Sequence, residues 1–192
     1  FFAMPIFLGN LFQQLYNTVD SLIVGNFLGS SALAAVSSSG SLIFMLIGFL
    51  SGISAGAGVI VARFFGAGDE KNLQRAVHTT VAFGLVAGVL MTGVGVALSP
   101  QILRWMDTPE SVMRESVTYL QIYFAGSLGF VMYNVLVGIL QAVGDSRHPL
   151  YYLIVSSVIN LVLDLLFITG FHTGVGGAAV ATVISQLSLI HI

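Results

Sequence analysis

Long apolar runs, separated by short polar breaks, account for nearly the whole chain. A helix that crosses a bilayer needs about 20 mostly apolar residues, and six stretches meet this requirement. We therefore predict six transmembrane helices, which cover residues 5–27, 36–62, 76–98, 117–142, 149–171 and 174–192. The predicted fold class is an all-α integral membrane protein.

The breaks between these runs carry the signals that end and begin helices. Glycines follow the second span in the segment 66–69 and the fourth span in the segment 144–145, and glycine suits the left-handed residue after a helix. Proline is favoured in the first turn of a helix, so Pro149 is expected to open the fifth span. Thr108, followed by Pro109 and Glu110, predicts a capped start ahead of the fourth span.

Composition supports the membrane assignment and excludes several function classes. Only 7% of the residues are charged, against 56% hydrophobic, whereas soluble domains carry about 25% charged residues. The net charge of -2 implies no nucleic-acid partner, and the absence of cysteine excludes thiol catalysis and thiolate metal sites. The chain begins inside one apolar run and ends inside another, so we interpret it as a fragment of a longer protein.

The basic residues predict an orientation. The breaks after the second and fourth spans hold four of them, and the break after the third span holds two: Arg63, Lys71, Arg75 and Arg147, against Arg104 and Arg114. The positive-inside rule places the first set in the cytoplasm, which puts the start of the chain inside. Trp105 suits an interfacial position between the third and fourth spans.

Glycines spaced four residues apart occur in two spans. Gly48, Gly52 and Gly56 form such a ladder in the second span, and Gly84 and Gly88 form one in the third. This spacing lets helix backbones approach closely in lipid, so we interpret both ladders as packing surfaces without a site role.

Two of the eight acidic residues lie inside predicted spans. They are Asp20 and Asp164, whereas the other acids and all six basic residues are expected in loops. An ionised aspartate at a helix centre costs roughly 2.5–3.5 kcal/mol on insertion scales. Such a group takes up a proton, binds a cation or faces a water-filled cavity, and each outcome makes it sensitive to an ion. The alternative is a carboxyl that merely caps a helix end or bonds a neighbour.

Polar neighbours accompany both acids at helical spacing. The first span presents Asn10, Gln13, Asn17 and Asp20 on one face, and the fifth presents Ser156, Asn160 and Asp164. A polar stripe in lipid is expected to face a cavity or a partner helix, so Gln13 and Asn17 are candidate cavity-lining residues. Thr182 of the sixth span offers a hydroxyl. Carboxylate, amide and hydroxyl oxygens suit a hard cation or a hydrogen-bonded proton.

Two tyrosines share a face near the start of the fourth span. Tyr119 and Tyr123 can line a substrate cavity and stack on organic cations, and interfacial anchoring explains them equally well. The histidines fall at span edges or at the end of the chain and predict no metal site.

Three segments resemble the multidrug and toxic compound extrusion (MATE) family. Its first helix and following loop are similar to residues 5–36, with the sequence PIFLGNLFQQLYNTVDSLIVGNFLGSSALAAV. Its fourth and fifth helices are similar to residues 138–168, which begin GILQAVGDSRHP. The segment GVGGAAVATVISQ is similar to the start of its sixth helix. The tail after Gln186 departs from the family pattern, and we assign it no function.

The resemblance implies one six-helix lobe of a twelve-helix transporter, with the second lobe absent from this chain. It implies a protein of the bacterial inner membrane that exports cationic or amphipathic drugs in exchange for inward H⁺ or Na⁺. Such a protein is not an enzyme and needs no cofactor besides the coupling ion. The ion-coupling residues of the family correspond to Asp20, Asn160, Asp164 and Thr182, and the resemblance implies that Na⁺ can bind among them. The tyrosine in the family's fourth helix corresponds to Tyr119. The implied partners are the bilayer, the drug and the missing carboxy-terminal lobe.

Two other functions remain open from the residues. A flippase for lipid-linked precursors also uses many helices and a polar cavity, but its anionic substrates favour a basic cavity, and no Lys or Arg lies in a predicted span. An intramembrane aspartyl protease is suggested by the Gly-x-Gly-Asp pattern that ends at Asp69, although a helix C-cap explains those glycines better.

Overall fold

The computed structural model describes residues 3–191, almost all of which are helical. The helices are α1 (Ala3–Leu28), α2 (Ser30–Gly66), α3 (Glu70–Trp105), α4 (Glu110–Ala125), α5 (Ser127–Ala142), α6 (Arg147–Leu165) and α7 (Gly174–His191). A π-helical turn, Leu166–Gly170, continues α6. The last residue of the predicted sixth span and of the atypical tail, Ile192, lies outside the described residues.

The predicted all-α membrane fold is confirmed. Among the described residues, α2, α3 and α6 with its π-helical turn are each long and apolar enough to cross a bilayer, and the bent pair of α4 and α5 meets the same test when taken together. The helix α1 has sufficient length but carries the polar stripe that ends at Asp20. The chain is therefore a multi-pass membrane protein.

The second and third helices are longer than their apolar runs. The predicted spans 36–62 and 76–98 are shorter than α2 and α3 at both ends. A helix of the length of α2 spans about 55 Å, against about 30 Å of hydrocarbon, so its ends reach beyond the apolar core. The expectation that the basic residues lie in loops was consequently wrong, since all six are on helices, near their ends: Arg63, Lys71, Arg75, Arg104, Arg114 and Arg147.

The predicted fourth span, 117–142, is a bent pair of helices that begins earlier than expected. The helix α4 starts at Glu110, and α5 follows it at an angle of 50°. Gly126 lies at the bend, where a Cβ atom would come within 2.5 Å of the Val183 side chain of α7. Thr108 does not cap α4 as predicted, because Pro109 occupies the N-cap position and the Thr108 hydroxyl has no hydrogen-bond partner.

Two of the predicted helix ends have the expected glycine geometry. Gly68 and Gly144 have φ angles of 66° and 92°, a region that favours glycine. The Asp69 carboxylate then caps α3 by accepting from the backbone N–H of Asn72 at 3.1 Å. At the start of α6, Asp145 accepts from the backbone N–H of His148 at 3.2 Å, and this bond helps to hold the pKa of the Asp145 carboxyl below its usual range.

Only one of the two predicted glycine ladders packs within this lobe. A Cβ atom on Gly84 or Gly88 would meet side chains of α5 at 3.0 Å or less, whereas one on Gly48, Gly52 or Gly56 would meet nothing within 4 Å. The interpretation of the α2 ladder as a packing surface was therefore wrong for this lobe. The close contact of α2 with α5 lies instead at Gly58 and Gly138, where a Gly138 Cβ would lie 3.0 Å from the Ser54 carbonyl oxygen.

The helices form two groups that meet along α7 and between α1 and α2. The first contains α2, α3, α4 and α5, which pack against one another, and the second contains α1, α6 and α7. The helix α7 also packs against α4 and α5. This arrangement places three polar helix segments, one from each member of the second group, side by side.

The contact at Gly138 predicts a site-specific loss of stability. Gly138→Val would force α2 and α5 apart, because the added carbons meet backbone rather than a movable side chain, and we expect it to cost about 1–3 kcal/mol. The matched control is Gly93→Val on α3, where a Cβ atom meets nothing within 4 Å. Thermal unfolding of the purified protein in detergent measures both. Equal melting temperatures for the two variants would contradict the proposed contact.

Candidate functional site

Two buried or half-buried carboxyl groups from different helices meet in the second helix group. Asp20 of α1 and Asp164 of α6 are hydrogen-bonded to each other through their side chains. Asp164 is fully buried, and Asp20 is half-buried. The two acids that the sequence places in the apolar spans thus form a pair.

Asn160 and Thr182 complete this group of polar side chains. With the Asn160 amide oriented by its neighbours, its nitrogen donates to Asp164 Oδ2 at 2.8 Å and its oxygen accepts from the Thr182 backbone N–H at 3.3 Å. The Thr182 hydroxyl donates to the Ala178 carbonyl oxygen of its own helix at 3.0 Å. The structure therefore brings all four residues of the predicted ion-coupling set together.

Tyr16 belongs to the same group, although no motif in the sequence singled it out. Its hydroxyl is hydrogen-bonded to the Thr182 side chain, and it lies near both aspartates. It precedes Asp20 by four residues and so lies one turn away on the same side of α1. That spacing was the available signal, but a tyrosine within an apolar run does not stand out as the amides do.

A second set of hydrogen bonds fixes α7 against α6. The Ser156 hydroxyl donates to the Ser185 carbonyl oxygen at 2.8 Å, and the Ser185 hydroxyl donates to the Thr182 carbonyl oxygen at the same distance. Both serines are buried. Because unpaired polar groups are costly at such depth, these bonds fix the position of Thr182 relative to Asp164.

A hydrophobic cluster closes one end of the site. Ile23 and Val24 lie within about one turn beyond Asp20, and Ile168 lies one turn beyond Asp164. Ala178 of α7 and Tyr119 of α4 belong to the same cluster, and both are buried. With the predicted orientation, the cluster separates the carboxyl pair from the outer side of the membrane.

The electrostatics of the site favour a bound proton or cation. The ion pair found among the described residues joins His148 to Asp145, at the start of α6 and away from the carboxyl pair. Asp20 and Asp164 each leave one buried oxygen, Oδ1, without a hydrogen-bond partner. Two unpaired carboxyl oxygens beside an amide and a hydroxyl are oxygen ligands that suit a shared proton or a hard cation such as Na⁺.

The predicted cavity-lining residues do not share one surface. Gln13 lines a cavity of about 520 Å³ between α1, α2, α5, α6 and α7. Asn17 is exposed and donates to the Gln14 side chain at 3.4 Å. Tyr119 is buried in the hydrophobic cluster, and the half-buried Tyr123 lies 6.3 Å from the Phe130 ring, centroid to centroid. A smaller cleft between α1 and α6 is lined in part by Asp20 and Asp164. Asn17, Tyr119 and Tyr123 line neither this cleft nor the larger cavity.

Comparisons with known proteins identify close relatives. The MatE family model matches residues 5–166. The chain is 38% identical over 191 residues to the probable multidrug resistance protein YoeA of Bacillus subtilis, covering 97% of this chain and 41% of that protein. It is 36% identical over 185 residues to the probable multidrug resistance protein YpnP of the same organism, covering 96% and 42%.

A solved structure shows the same fold. The crystal structure of MATE in the bent conformation superposes with a TM-score of 0.91 at 29% identity, covering 98% of this chain and 42% of that chain. The chain thus spans about two fifths of the length of the relatives that it matches.

The bonds of Asn160 predict that it stabilises the site. Asn160→Ala removes one hydrogen-bond partner from Asp164 Oδ2 and one from the Thr182 N–H, both of which are buried. We therefore expect the substitution to lower the free energy of unfolding by about 1–3 kcal/mol. The control is Ser157→Ala, because the Ser157 hydroxyl bonds only to the Leu153 carbonyl oxygen of its own helix. Thermal unfolding in detergent at neutral pH compares them. A loss no greater than that of the control would contradict the bridging role of Asn160.

Proposed function

Because the chain belongs to the MatE family, whose model matches residues 5–166, we propose that it forms the amino-terminal lobe of a cation-coupled antiporter. The antiporter exports cationic and amphipathic drugs across the bacterial inner membrane in exchange for H⁺ or Na⁺. The relatives named above are probable multidrug resistance proteins. The family is one of transporters, so no catalytic residues are assigned.

The observation that carries this proposal is the Asp20–Asp164 pair. Two carboxyl groups in direct contact cannot both remain ionised at low cost, since like charges at this separation repel strongly. No basic side chain pairs with either of them among the described residues. The pair therefore needs a proton or a cation whenever it is shielded from water, and this requirement makes its state depend on the ion supplied from either side.

Ion binding at this pair drives export if the loaded and empty states differ in their affinity for the drug. When the site opens outward, the carboxyl pair takes up an ion, which removes the negative charge that attracts an organic cation. The drug is then released outside, and release of the ion inside restores the charge. The requirement is that ion and drug prefer different states. Inward movement of one charge supplies about 2.3 kcal/mol per 100 mV.

The remaining partners follow from the length of the relatives. A chain that covers about two fifths of them needs a carboxy-terminal lobe to complete the transporter. Exposed polar groups on α1, such as Asn10 and Asn17, are unsuited to lipid and suit a water-filled space between two lobes. We expect no cofactor other than the coupling ion and no nucleic-acid partner.

Specific observations weigh against the two alternatives. A flippase for anionic precursors needs basic side chains in its cavity, but none lines the cavity of about 520 Å³ or the smaller cleft between α1 and α6. In the Gly-x-Gly-Asp segment, Asp69 caps α3 and accepts from the Asn72 side chain at 2.7 Å. This bonding leaves Asp69 at a helix end rather than paired with a second aspartate, as an aspartyl protease requires.

We expect Asp164→Asn in the full-length protein to abolish ion-coupled efflux while membrane insertion persists, because an amide can neither bind a proton nor carry the charge. The assay is efflux of a fluorescent organic cation from proteoliposomes under an imposed H⁺ or Na⁺ gradient. Asp145→Asn is the control, since it removes the same group from a half-buried position at the start of α6, away from the pair. Efflux by Asp164→Asn at the wild-type rate, still dependent on the gradient, would exclude the coupling role.

A further inference from the structure

Two hydrogen bonds, one helical turn apart, join α6 to α7. The first lies at the site, where the Thr182 backbone N–H donates to the Asn160 side-chain oxygen at 3.3 Å. The second lies four residues earlier on α6, where the Ser156 hydroxyl donates to the Ser185 carbonyl oxygen at 2.8 Å. All four residues are buried. Only the first bond involves a residue that contacts the carboxyl pair.

Ser156 is too far from the carboxyl pair to bind the ion itself. It precedes Asp164 by eight residues, which corresponds to about 12 Å along the axis of α6. Its hydroxyl already donates to the Ser185 carbonyl oxygen of the neighbouring helix. Any influence of Ser156 on the ion therefore passes through the position of α7.

The Asn160–Thr182 bond is sensitive to small movements of α7. Its length of 3.3 Å lies beyond the usual range of about 2.7–3.2 Å for an N–H···O bond, so a further small separation weakens it. One bond between two helices leaves them free to turn about that point, whereas two bonds one turn apart oppose both turning and sliding. The Ser156–Ser185 bond therefore keeps Thr182 within reach of Asn160.

Thr182 and Asn160 in turn arrange the oxygens around the carboxyl pair. The Asn160 nitrogen donates to Asp164 Oδ2 at 2.8 Å, and the Thr182 side chain is hydrogen-bonded to Tyr16. Movement of α7 would release the Asn160 amide and separate Thr182 from Tyr16. Loss of groups that orient the ligands of an ion lowers its affinity by about 10–100-fold in metal sites.

The Ser156 hydroxyl can be removed without leaving a buried group unpaired. The Ser185 carbonyl oxygen also accepts from the Ser188 hydroxyl of its own helix at 2.6 Å, so it keeps a partner in Ser156→Ala. Alanine adds no donor or acceptor in its side chain. The substitution therefore breaks a link between two helices and avoids the main cost of a lost buried bond.

We propose that Ser156 is a positioning residue for the ion site, because its bond to the Ser185 carbonyl oxygen sets α7 against α6. In this position, Thr182 and Asn160 hold the ion-binding oxygens in place. The inference rests on the proposed ion coupling and adds to it a residue that controls ion affinity without touching the ion.

The test measures ion-dependent thermal unfolding of the full-length protein in detergent. Na⁺ is titrated at constant pH and ionic strength, and pH is titrated without Na⁺. The melting temperature begins to rise where the ion concentration exceeds the apparent dissociation constant. We expect Ser156→Ala to move this onset to an about tenfold higher concentration of the coupling ion.

Two variants serve as controls. Ser157→Ala removes a hydroxyl that bonds only to the Leu153 carbonyl oxygen of α6, at 2.7 Å, and we expect the onset of the wild type. Ser156→Thr keeps the hydroxyl and restores the onset. Hydrogen exchange without the ion provides a second readout, in which the backbone amides of residues 178–185 exchange faster in Ser156→Ala than in Ser157→Ala.

An unchanged onset in Ser156→Ala would overturn the proposal, even with a lower melting temperature at every ion concentration, because a purely structural role has that effect. An onset that moves equally in Ser157→Ala would show that the link between the helices is not responsible. An equal movement in Ser156→Thr would exclude the hydroxyl as the cause.

The same measurements separate this proposal from the proposed function. An ion-dependent wild type whose onset is unaffected by Ser156→Ala contradicts the positioning role and leaves antiport intact. The expected shift of onset, together with wild-type efflux that ignores the ion gradient, supports the positioning role and contradicts antiport. A wild type whose melting temperature responds to neither ion contradicts both.

Discussion

The contact between Asp20 and Asp164 is the interaction on which this lobe depends. Neither carboxyl group has a basic partner among the described residues, and each keeps one buried oxygen without a hydrogen-bond partner. Such a pair is costly when both members are ionised and is relieved by a proton or a cation. The surrounding residues reduce the cost only in part, because Asn160 supplies one hydrogen bond to Asp164.

Close helix packing elsewhere in the lobe makes this contact possible. The bend at Gly126 gives space to Val183 of α7, and α7 in turn packs against α6 through the bond from Ser156 to the Ser185 carbonyl oxygen. In lipid, helices associate through such close approach and polar contacts rather than through the hydrophobic effect. The position of Thr182 beside the aspartates is thus set by contacts on two sides of α7.

The site is asymmetric in its access. One end is closed by the cluster around Val24 and Ile168, whereas an apolar cleft between α1 and α6 lies beside the carboxyl pair. The neighbouring cavity of about 520 Å³ holds uncharged polar groups such as Gln13, so charge is concentrated at the aspartates alone.

The amino-acid sequence by itself determined the membrane class, the apolar segments and the two acids of the site, because hydropathy and the cost of a buried charge are local properties. It also indicated the polar faces of α1 and α6, since these follow from helical spacing. Tertiary structure alone decided that Asn17 stays at the surface while Tyr16 joins the site, that the chain bends at Gly126, and that α2 packs through Gly58 rather than through its glycine ladder. Periodicity gives the direction of a side chain around its own helix but not the neighbour that it meets, and that neighbour is set by contacts between residues far apart in the chain.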